Sequence, residues 1–172
     1  MPEPAKDPVR VQLNDARLVT IRPILPSDLD ALRRFFAALS RATLRFRFHS
    51  SISELPEQLL RGFIAGHPAH SAFVAEINDG TVEQPILVAE ARFIPKADSE
   101  SAEFALVVAD NWRRIGLGTT LTRILAQRAR FSGVRRLWGD VLEDNKAMRG
   151  LAHSLGARLS RGMGCVRLSL EV

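Results

Sequence analysis

The seven residues from Arg113 to Thr119 read Arg-Arg-Ile-Gly-Leu-Gly-Thr. Of all segments in this chain, this one has the residue types and spacing best suited to a ligand-binding or catalytic site. Its two glycines allow a tight turn in which backbone N–H groups approach a ligand closely. The helix predicted after this turn begins with N–H groups that lack partners and with the positive end of its dipole. These properties favour an anion such as a diphosphate, with Arg113 and Arg114 adding charge at the rim. A plain strand-to-helix turn is the alternative.

The elements predicted around this segment would hold it at the end of a strand. Residues 102–109 are predicted to form a strand, and apolar residues recur at helical spacing over 117–131. Residues 135–142 form the next predicted strand, and Asp144 or Asn145 caps the helix that follows. The segment lacks the lysine of a P-loop and the third glycine of a dinucleotide-binding fingerprint. ATP is therefore disfavoured as the ligand.

The other predicted elements complete an α/β fold with a mixed sheet. Residues 1–16 are rich in proline and charge, and we expect them to form a flexible arm. Residues 17–172 contain no repeat or linker, and we expect them to form a single domain. The remaining predicted elements are a strand over 17–23, a helix from Ser27 to Leu39, a helix from Ser53 to Gly66, strands over 71–77 and 86–94 around the turn residues 78–80, and a final strand or hairpin over 158–172.

Composition restricts the classes of partner. The 172 residues carry a formal net charge of +5, with 46% hydrophobic and 25% charged residues, as is typical of a globular domain. The basic residues are spread along the chain, so nucleic-acid binding is disfavoured. A single cysteine excludes an intrachain disulfide, and no apolar run approaches the roughly 20 residues of a membrane span. Because the first residues also lack the pattern of a signal peptide, we expect a cytoplasmic protein without membrane contact.

The glycine segment and its neighbours resemble the GNAT family of acyl-CoA-dependent N-acetyltransferases. The family's pyrophosphate loop reads Arg/Gln-x-x-Gly-x-Gly/Ala, and Arg113, Gly116 and Gly118 match it. The flanking elements fall at family spacing, so the resemblance covers residues 17–172. Residues 21–23, 102–110 and 141–148 resemble one subgroup of the family more closely. This subgroup is the acetyltransferase domain of bacterial protein-lysine acetyltransferases.

The resemblance implies an α+β fold with a mixed, mostly antiparallel central sheet and about four flanking helices. In the family, the sheet splays between the fourth and fifth strands, here 102–109 and 135–142, and the pantetheine arm of acetyl-CoA enters the opening. The Val108 amide is then expected to polarise the thioester carbonyl and to stabilise the oxyanion. The residues expected to bind acetyl-CoA are Leu106, Val107, Val108, Arg113, Arg114, Ile115, Gly116, Leu117, Gly118, Thr119 and Asn145.

An acceptor amine must lose a proton before it attacks, since a lysine ammonium has a pKa near 10.4. A carboxylate can accept that proton directly or through one water. The resemblance assigns this role to Glu103, whose alternative interpretation is an exposed acid near the start of a strand. Glu90 and Glu76 are the fallback candidates.

One departure from the family concerns the group that protonates the departing thiolate. Many GNAT enzymes carry a tyrosine seven residues after the asparagine, where this chain has Ala152, and the chain contains no tyrosine. The lysine-acetyltransferase subgroup shares this absence, and solvent can protonate a thiol whose pKa is near 8.5. His153 is expected on the surface, and Cys165 is expected to serve packing.

The histidines and a run of arginines and phenylalanines are two further groups that could bind a ligand. His49, His67 and His70 have no metal-ligand spacing with acids or with the cysteine, so no metal is expected. The run from Arg41 to His49 alternates arginine with phenylalanine, and it resembles the subgroup's segment that borders the acceptor cleft.

The function implied by the resemblance is transfer of an acetyl group from acetyl-CoA to a primary amine in a ternary complex. A protein lysine is the preferred acceptor, and a small amine is the alternative within this class. A non-catalytic acyl-CoA-binding sensor or interaction module is the alternative outside it. The sequence leaves the oligomeric state open, with a homodimer as one option.

Overall fold

The strands and helices of the chain are given by a computed structural model, which describes residues 8–52, 54–65, 71–78, 85–96, 100–162 and 164–172. Within these residues the strands are β1 (Val9–Gln12), β2 (Leu18–Pro23), β3 (Ser71–Ile77), β4 (Ile86–Pro95), β5 (Ser101–Val108), β6 (Arg136–Leu142), β7 (Arg158–Arg161) and β8 (Cys165–Glu171). The helices are α1 (Leu29–Ala37), α2 (Arg41–Phe48), α3 (Glu57–Ile64), α4 (Leu117–Phe131) and α5 (Lys146–Ser154).

The strands form one mixed sheet in the order β1-β2-β3-β4-β5-β6-β8-β7. Neighbouring strands are antiparallel except β5 and β6, which run parallel. Only Ser101 to Glu103 pair with Arg136 to Trp138, and within the described residues no register pair joins the two strands beyond that point. The predicted fold class and the predicted splay of the sheet are therefore confirmed. The two strands that separate were expected to be the fourth and fifth of the chain. They are the fifth and sixth, because an additional strand, β1, precedes them.

That additional strand, β1, corrects the prediction for the N-terminal segment. Residues 1–16 were expected to form a flexible arm. Residues 1–7 lie outside the described residues, but Val9–Gln12 pairs with Leu18–Ile21 in an antiparallel hairpin. Leu13 is only 5% exposed and belongs to the core. The physical reason is the alternation of Val9, Val11 and Leu13, which suits a strand with one buried face.

Helix α2 is the second difference, because it brings the described helices to five where about four were expected. The Ser40 hydroxyl caps it by accepting a hydrogen bond from the Thr43 amide at 3.2 Å. The Asp110 carboxylate accepts bonds from the Thr43 hydroxyl at 2.7 Å and from the Ser40 amide at 3.1 Å. The contacts with Asp110, which is distant in sequence, stabilise α2, whose own residues give only a weak helical pattern. Ser53 and Gly66, the predicted ends of the next helix, and the turn residues Asp79 and Gly80 lie outside the described residues.

The helices cover the two faces of the sheet. α1, α2 and α3 pack on one face, where Phe36 and Leu60 belong to the same core cluster as Val107 of β5. α4 and α5 pack on the other face, where the buried leucines of α4 belong to the same core cluster as Phe104, and Leu106 packs against that cluster. Because strand side chains alternate, Glu103 and Ala105 share the α1–α3 face with Val107. In the part of the chain described, no helix combines the length and apolarity that a membrane span requires.

Candidate active site

The glycine segment forms the turn that opens α4. Gly116 has a φ of +91° and precedes the first residue of the helix, where no side chain caps the free amides. A Cβ at this position would lie 3.2 Å from Oδ1 of Asn14, so both the backbone angle and the space favour glycine. Arg114 also has a positive φ, +60°, and is exposed. The segment thus presents uncapped N–H groups at a helix start, which is the geometry that binds anions.

Arg113 is directed into the protein, whereas its charge was expected at the rim of the loop. Its Nε donates to the Val108 carbonyl oxygen at 3.2 Å, and its Nη2 donates to the Thr43 hydroxyl. The same Nη2 lies 3.4 Å from Asp110 Oδ1. Arg113 therefore joins the end of β5 to α2 and holds the strand where the candidate oxyanion donor lies.

The turn between β1 and β2 supports the glycine segment, a role that the sequence did not predict. The Asn14 amide donates to the Ile115 carbonyl oxygen at 3.1 Å. The Arg17 guanidinium lies 4.0 Å from the ring centroid of Trp112 and donates to the Asn111 carbonyl oxygen at 3.2 Å. The alternating valines of β1 could have predicted the hairpin, but nothing in the sequence predicts that its turn reaches the loop.

The backbone of β5 directs two amides into the opening between β5 and β6. Ala109 N donates to the Val88 carbonyl oxygen at 2.8 Å, and Val108 is in register with Ala89. Hydrogen-bonded and non-hydrogen-bonded pairs alternate along an antiparallel ladder. The amides of Val108 and Leu106 therefore point away from β4 and toward β6, which has already separated from β5. An extended ligand lying in this gap would meet both amides.

Glu103 lies where the two strands part. It is exposed, it is the last residue of β5 in register with β6, and its partners are Trp138 and Ile94. Its side chain points to the α1–α3 face, opposite the side from which α4 packs. At about 3.3 Å per residue, the Cα atoms of Glu103 and Val108 are about 16 Å apart along the strand. A proton transferred between these two places must therefore pass through water.

The two fallback carboxylates have structural partners. Glu90 is 0% exposed and is paired with Arg47 and Arg92, so it cannot contact a substrate amine in this arrangement. Glu76 lies 2.6 Å from Arg22, which also binds Asp28 at 2.7 Å. Burial alone would raise the pKa of Asp28, but hydrogen bonds from Arg22 and the Leu25 amide hold that pKa below its ordinary value. Of the three candidate bases, Glu103 alone is exposed at the splay.

The residues at the start of α5 behave largely as expected. Asn145 caps the helix by accepting a hydrogen bond from the Met148 amide at 3.1 Å, and it is 9% exposed. The cap uses the side-chain carbonyl oxygen, so a contact with a pantetheine arm would have to come from the side-chain amino group. Ala152 is fully buried, whereas His153 is exposed as predicted. Cys165 is a half-buried free thiol on β8.

The run from Arg41 to His49 forms α2 and the start of the loop after it. Arg45 of α2 lies 2.8 Å from Asp144, which precedes α5, so this exposed ion pair crosses from one side of the splay to the other. His49 is exposed, and His67 and His70 lie outside the described residues. Among the residues described, no three His, Cys, Asp or Glu side chains are grouped as a metal would require.

The arrangement of strands and loop defines a class of protein. A sheet that opens between two parallel strands, with amides directed into the gap and an uncapped helix start beside it, suits an extended ligand that ends in a diphosphate. The family model described as "Acetyltransferase (GNAT) family" matches residues 34–157, and the chain belongs to this family. It is thus an N-acetyltransferase, and the family uses acetyl-CoA as its donor.

Relatives and solved structures agree with this assignment. An acetyltransferase of Pseudomonas aeruginosa is 34% identical over 146 residues, covering 84% of this chain and 77% of the relative. Acetyltransferase Pat of Mycolicibacterium smegmatis is 30% identical over 167 residues, covering 96% of this chain and 49% of the relative. The chain therefore spans about half the length of that second relative.

The fold of the chain closely matches a solved structure. The crystal structure of the GNAT domain of S. lividans PAT superposes with a TM-score of 0.88 at 24% identity, covering 96% of this chain and 97% of that one. A cAMP-binding acyltransferase from Mycobacterium smegmatis superposes with a TM-score of 0.68 at 28% identity, covering 96% and 47%. The resemblance to bacterial protein acetyltransferases is therefore confirmed.

Proposed function

We propose that this chain transfers an acetyl group from acetyl-CoA to a primary amine, preferably a protein lysine, by direct attack in a ternary complex. The observation that carries this proposal is the exposure of Glu103 where β5 and β6 part. The carboxylate lies on the α1–α3 face, whereas the glycine turn belongs to α4 on the opposite face. Acceptor and donor can thus enter the gap from different sides.

The donor would lie along β5 with its diphosphate on the glycine segment. The amides of residues 114–119 would bind the diphosphate, and Leu106 to Val108 would pair with the pantetheine arm. The direction of the Leu106 and Val108 amides supports this placement, as does the absence of a side-chain cap on α4. Asn145 would add a contact through its side-chain amino group.

In the chemical step the amine nitrogen attacks the thioester carbonyl carbon, forming the C–N bond as the C–S bond breaks. Glu103 takes the amine's proton through a chain of several waters, because the roughly 16 Å of strand between Glu103 and Val108 exceeds the reach of a side chain and one water. The Val108 amide donates to the carbonyl oxygen as negative charge develops there. The leaving thiolate takes a proton from solvent, since a thiol pKa near 8.5 does not require a dedicated acid.

A protein lysine is proposed as the acceptor because of what the chain resembles. One of its relatives carries the name Pat, and one solved structure is described as the GNAT domain of a PAT. The absence of tyrosine is shared with the subgroup of protein-lysine acetyltransferases that the sequence resembles.

The test compares Glu103→Gln with Glu171→Gln, an exposed strand acid on β8 that pairs with Arg136. Glu103→Gln should lower kcat on a lysine peptide by about 10²–10⁴ and leave the Kd for acetyl-CoA nearly unchanged. Glu171→Gln should alter neither quantity. Unchanged turnover in Glu103→Gln would remove this carboxylate from the mechanism.

A further inference from the structure

Two arginines and one glutamate form a buried charged cluster on the α1–α3 face of the sheet. Glu90 of β4 is fully buried, with Arg92 bonded to it through Nε and Arg47 Nη2 at 3.4 Å. The side chains of Arg47 and Arg92 are only 11% and 10% exposed. The Arg92 guanidinium lies 3.7 Å from the ring centroid of Phe63, and Arg47 lies 5.6 Å from the same centroid.

This cluster carries more positive than negative charge. Two guanidinium groups are paired with one carboxylate, that of Glu90, and Glu103 is a more distant charge neighbour of Arg47. Among the described residues Arg47 Nε and Arg92 Nη2 are buried without a hydrogen-bond partner. Burial and the neighbouring Arg92 charge lower the pKa of Arg47, although Glu90 and, more weakly, Glu103 oppose this effect. Leaving buried N–H donors of a charged group unpaired costs free energy, and a second carboxylate would satisfy them. The chemistry of the site therefore matches a carboxylate.

The cluster also lies between the two groups to which we assign catalysis. Arg92 is opposite Ala105 of β5, and Glu90 is opposite Val107. Both positions fall between Glu103 and Val108 along the strand, on the face from which the acceptor would enter. An amine close to the acyl carbon would thus place its neighbouring groups beside Arg92.

We propose that Arg47 and Arg92 bind a carboxylate of the acceptor, so that this chain prefers amines with an acidic group close by. The carboxylate can belong to an aspartate or glutamate beside a protein lysine, or to a small amino acid. This inference rests on the proposed function, because it specifies the acceptor of the same site. Arg47 and Arg92 would act as specificity determinants, and the chemical step would remain with Glu103.

The first measurement compares matched acceptors on the wild-type protein with saturating acetyl-CoA. A lysine peptide flanked by glutamates is compared with the same peptide flanked by glutamines, and ε-aminocaproate is compared with hexylamine. One hydrogen-bonded charge pair corresponds to a preference of about tenfold or more in kcat/KM, carried mainly by KM. The two pairs distinguish a protein source from a small-molecule source of the carboxylate.

Salt separates this site from long-range attraction. A chain with a net charge of +5 attracts acidic peptides in general, and that attraction is screened as salt rises. A preference that comes from buried arginines should largely persist at higher salt. A preference in neither pair, or one that vanishes with salt, would overturn the proposal.

Variants then test the assigned residues. Arg47→Gln should reduce the preference for the acidic acceptor to near one and change kcat/KM for the neutral acceptor much less. Arg47→Lys keeps the charge but lacks Nε–H, so it should retain part of the preference for the acidic acceptor. This variant replaces Arg47→Gln in the test if Arg47→Gln does not fold. The control is Arg61→Gln, an arginine on α3 whose side chain is 64% exposed. Equal preference in Arg47→Gln and Arg61→Gln would contradict the proposal.

A binding measurement keeps this inference separate from the proposed function. Calorimetry of the two peptides with CoA-loaded protein should give tighter binding of the glutamate-flanked peptide to wild type and equal binding of both peptides to Arg47→Gln. This result without transfer to any amine would reject the proposed function and support the carboxylate site. Acetyl transfer to an amine, with equal binding of the two peptides to wild type, would support the proposed function and reject the carboxylate site.

Discussion

Replacement of Gly116 by alanine should damage both the stability of the chain and its binding of acetyl-CoA. Gly116 has a φ of +91°, a left-handed conformation that costs an L-residue roughly 1–2 kcal/mol. The new Cβ would also lie 3.2 Å from Oδ1 of Asn14, so the β1–β2 turn must shift by a few tenths of an ångström. For a chain of this length the expected fall in Tm is roughly 2–8 °C.

The effect on ligand binding follows from the same change. If the backbone relaxes toward negative φ, the amides at the start of α4 rotate away from the position of the diphosphate. Loss of one hydrogen bond to a charged group corresponds to about a tenfold rise in Kd or more. Thermal unfolding measures the first effect, and calorimetric titration with acetyl-CoA measures the second.

Gly118 supplies the matched control for this experiment. It lies in α4, and a Cβ there would meet Leu106 and Leu151 side-chain carbons at 3.5 and 3.6 Å, which is ordinary contact. Gly118→Ala should therefore keep or raise Tm, with a gain of up to about 1 kcal/mol from helix propensity. It should also keep acetyl-CoA binding, because the family pattern accepts alanine at this position. If Gly116→Ala matches wild type in both Tm and Kd, the strain and the diphosphate assignment are both refuted.

Four further substitutions, at three residues, test the roles of Asn145, Arg17 and Asp28. Asn145→Asp keeps a cap for the Met148 amide but removes the side-chain amino donor, so it should raise the Kd for acetyl-CoA without lowering Tm. Asn145→Ala should raise the Kd and also lose about 1 kcal/mol of stability. Equal Kd values for wild type and Asn145→Asp would exclude a contact between the Asn145 amino group and acetyl-CoA. Arg17→Ala removes the contact with Trp112 and should raise that Kd a fewfold, as measured by calorimetry, with the deprotonation of the acceptor unaffected. Asp28→Asn should lower the free energy of unfolding by about 1.5–3 kcal/mol near neutral pH. Because the pKa of folded Asp28 is held below its ordinary value of 3.8, this contribution is present above that value and is lost as pH falls through the folded pKa, so denaturant melts of the two proteins should converge in acid.

Local signals in the sequence were sufficient for most strands and helices and for the glycine turn, although β1 and α2 were not predicted. Gly116 and Gly118 are placed between a strand and a helix, and the apolar spacing of α4 predicts its burial. The predicted cap at Asn145 depends only on residues within one turn, and the structure confirms it. Features of this kind can be read from a single sequence because their partners are near in the chain.

Features that depend on distant partners were missed. Glu90 was considered a fallback base, but Arg47 reaches it from 43 residues away, and that contact makes it part of a buried cluster. α2 is fixed by Asp110, which lies 67 residues beyond Thr43. The sequence offers no periodic signal for either contact, so only the folded chain reveals which charges are buried.

The central claim is tested most directly by following both products of the reaction at once. Purified protein, acetyl-CoA and a lysine peptide should yield one free CoA thiol for each acetyl group found on the lysine Nζ by mass spectrometry. Neither product should form at a comparable rate with Glu103→Gln, although that variant should still bind acetyl-CoA. Tight binding of acetyl-CoA by the wild-type protein with no acetyl transfer to peptides or small amines would contradict the account and would indicate a protein that holds acyl-CoA without catalysis.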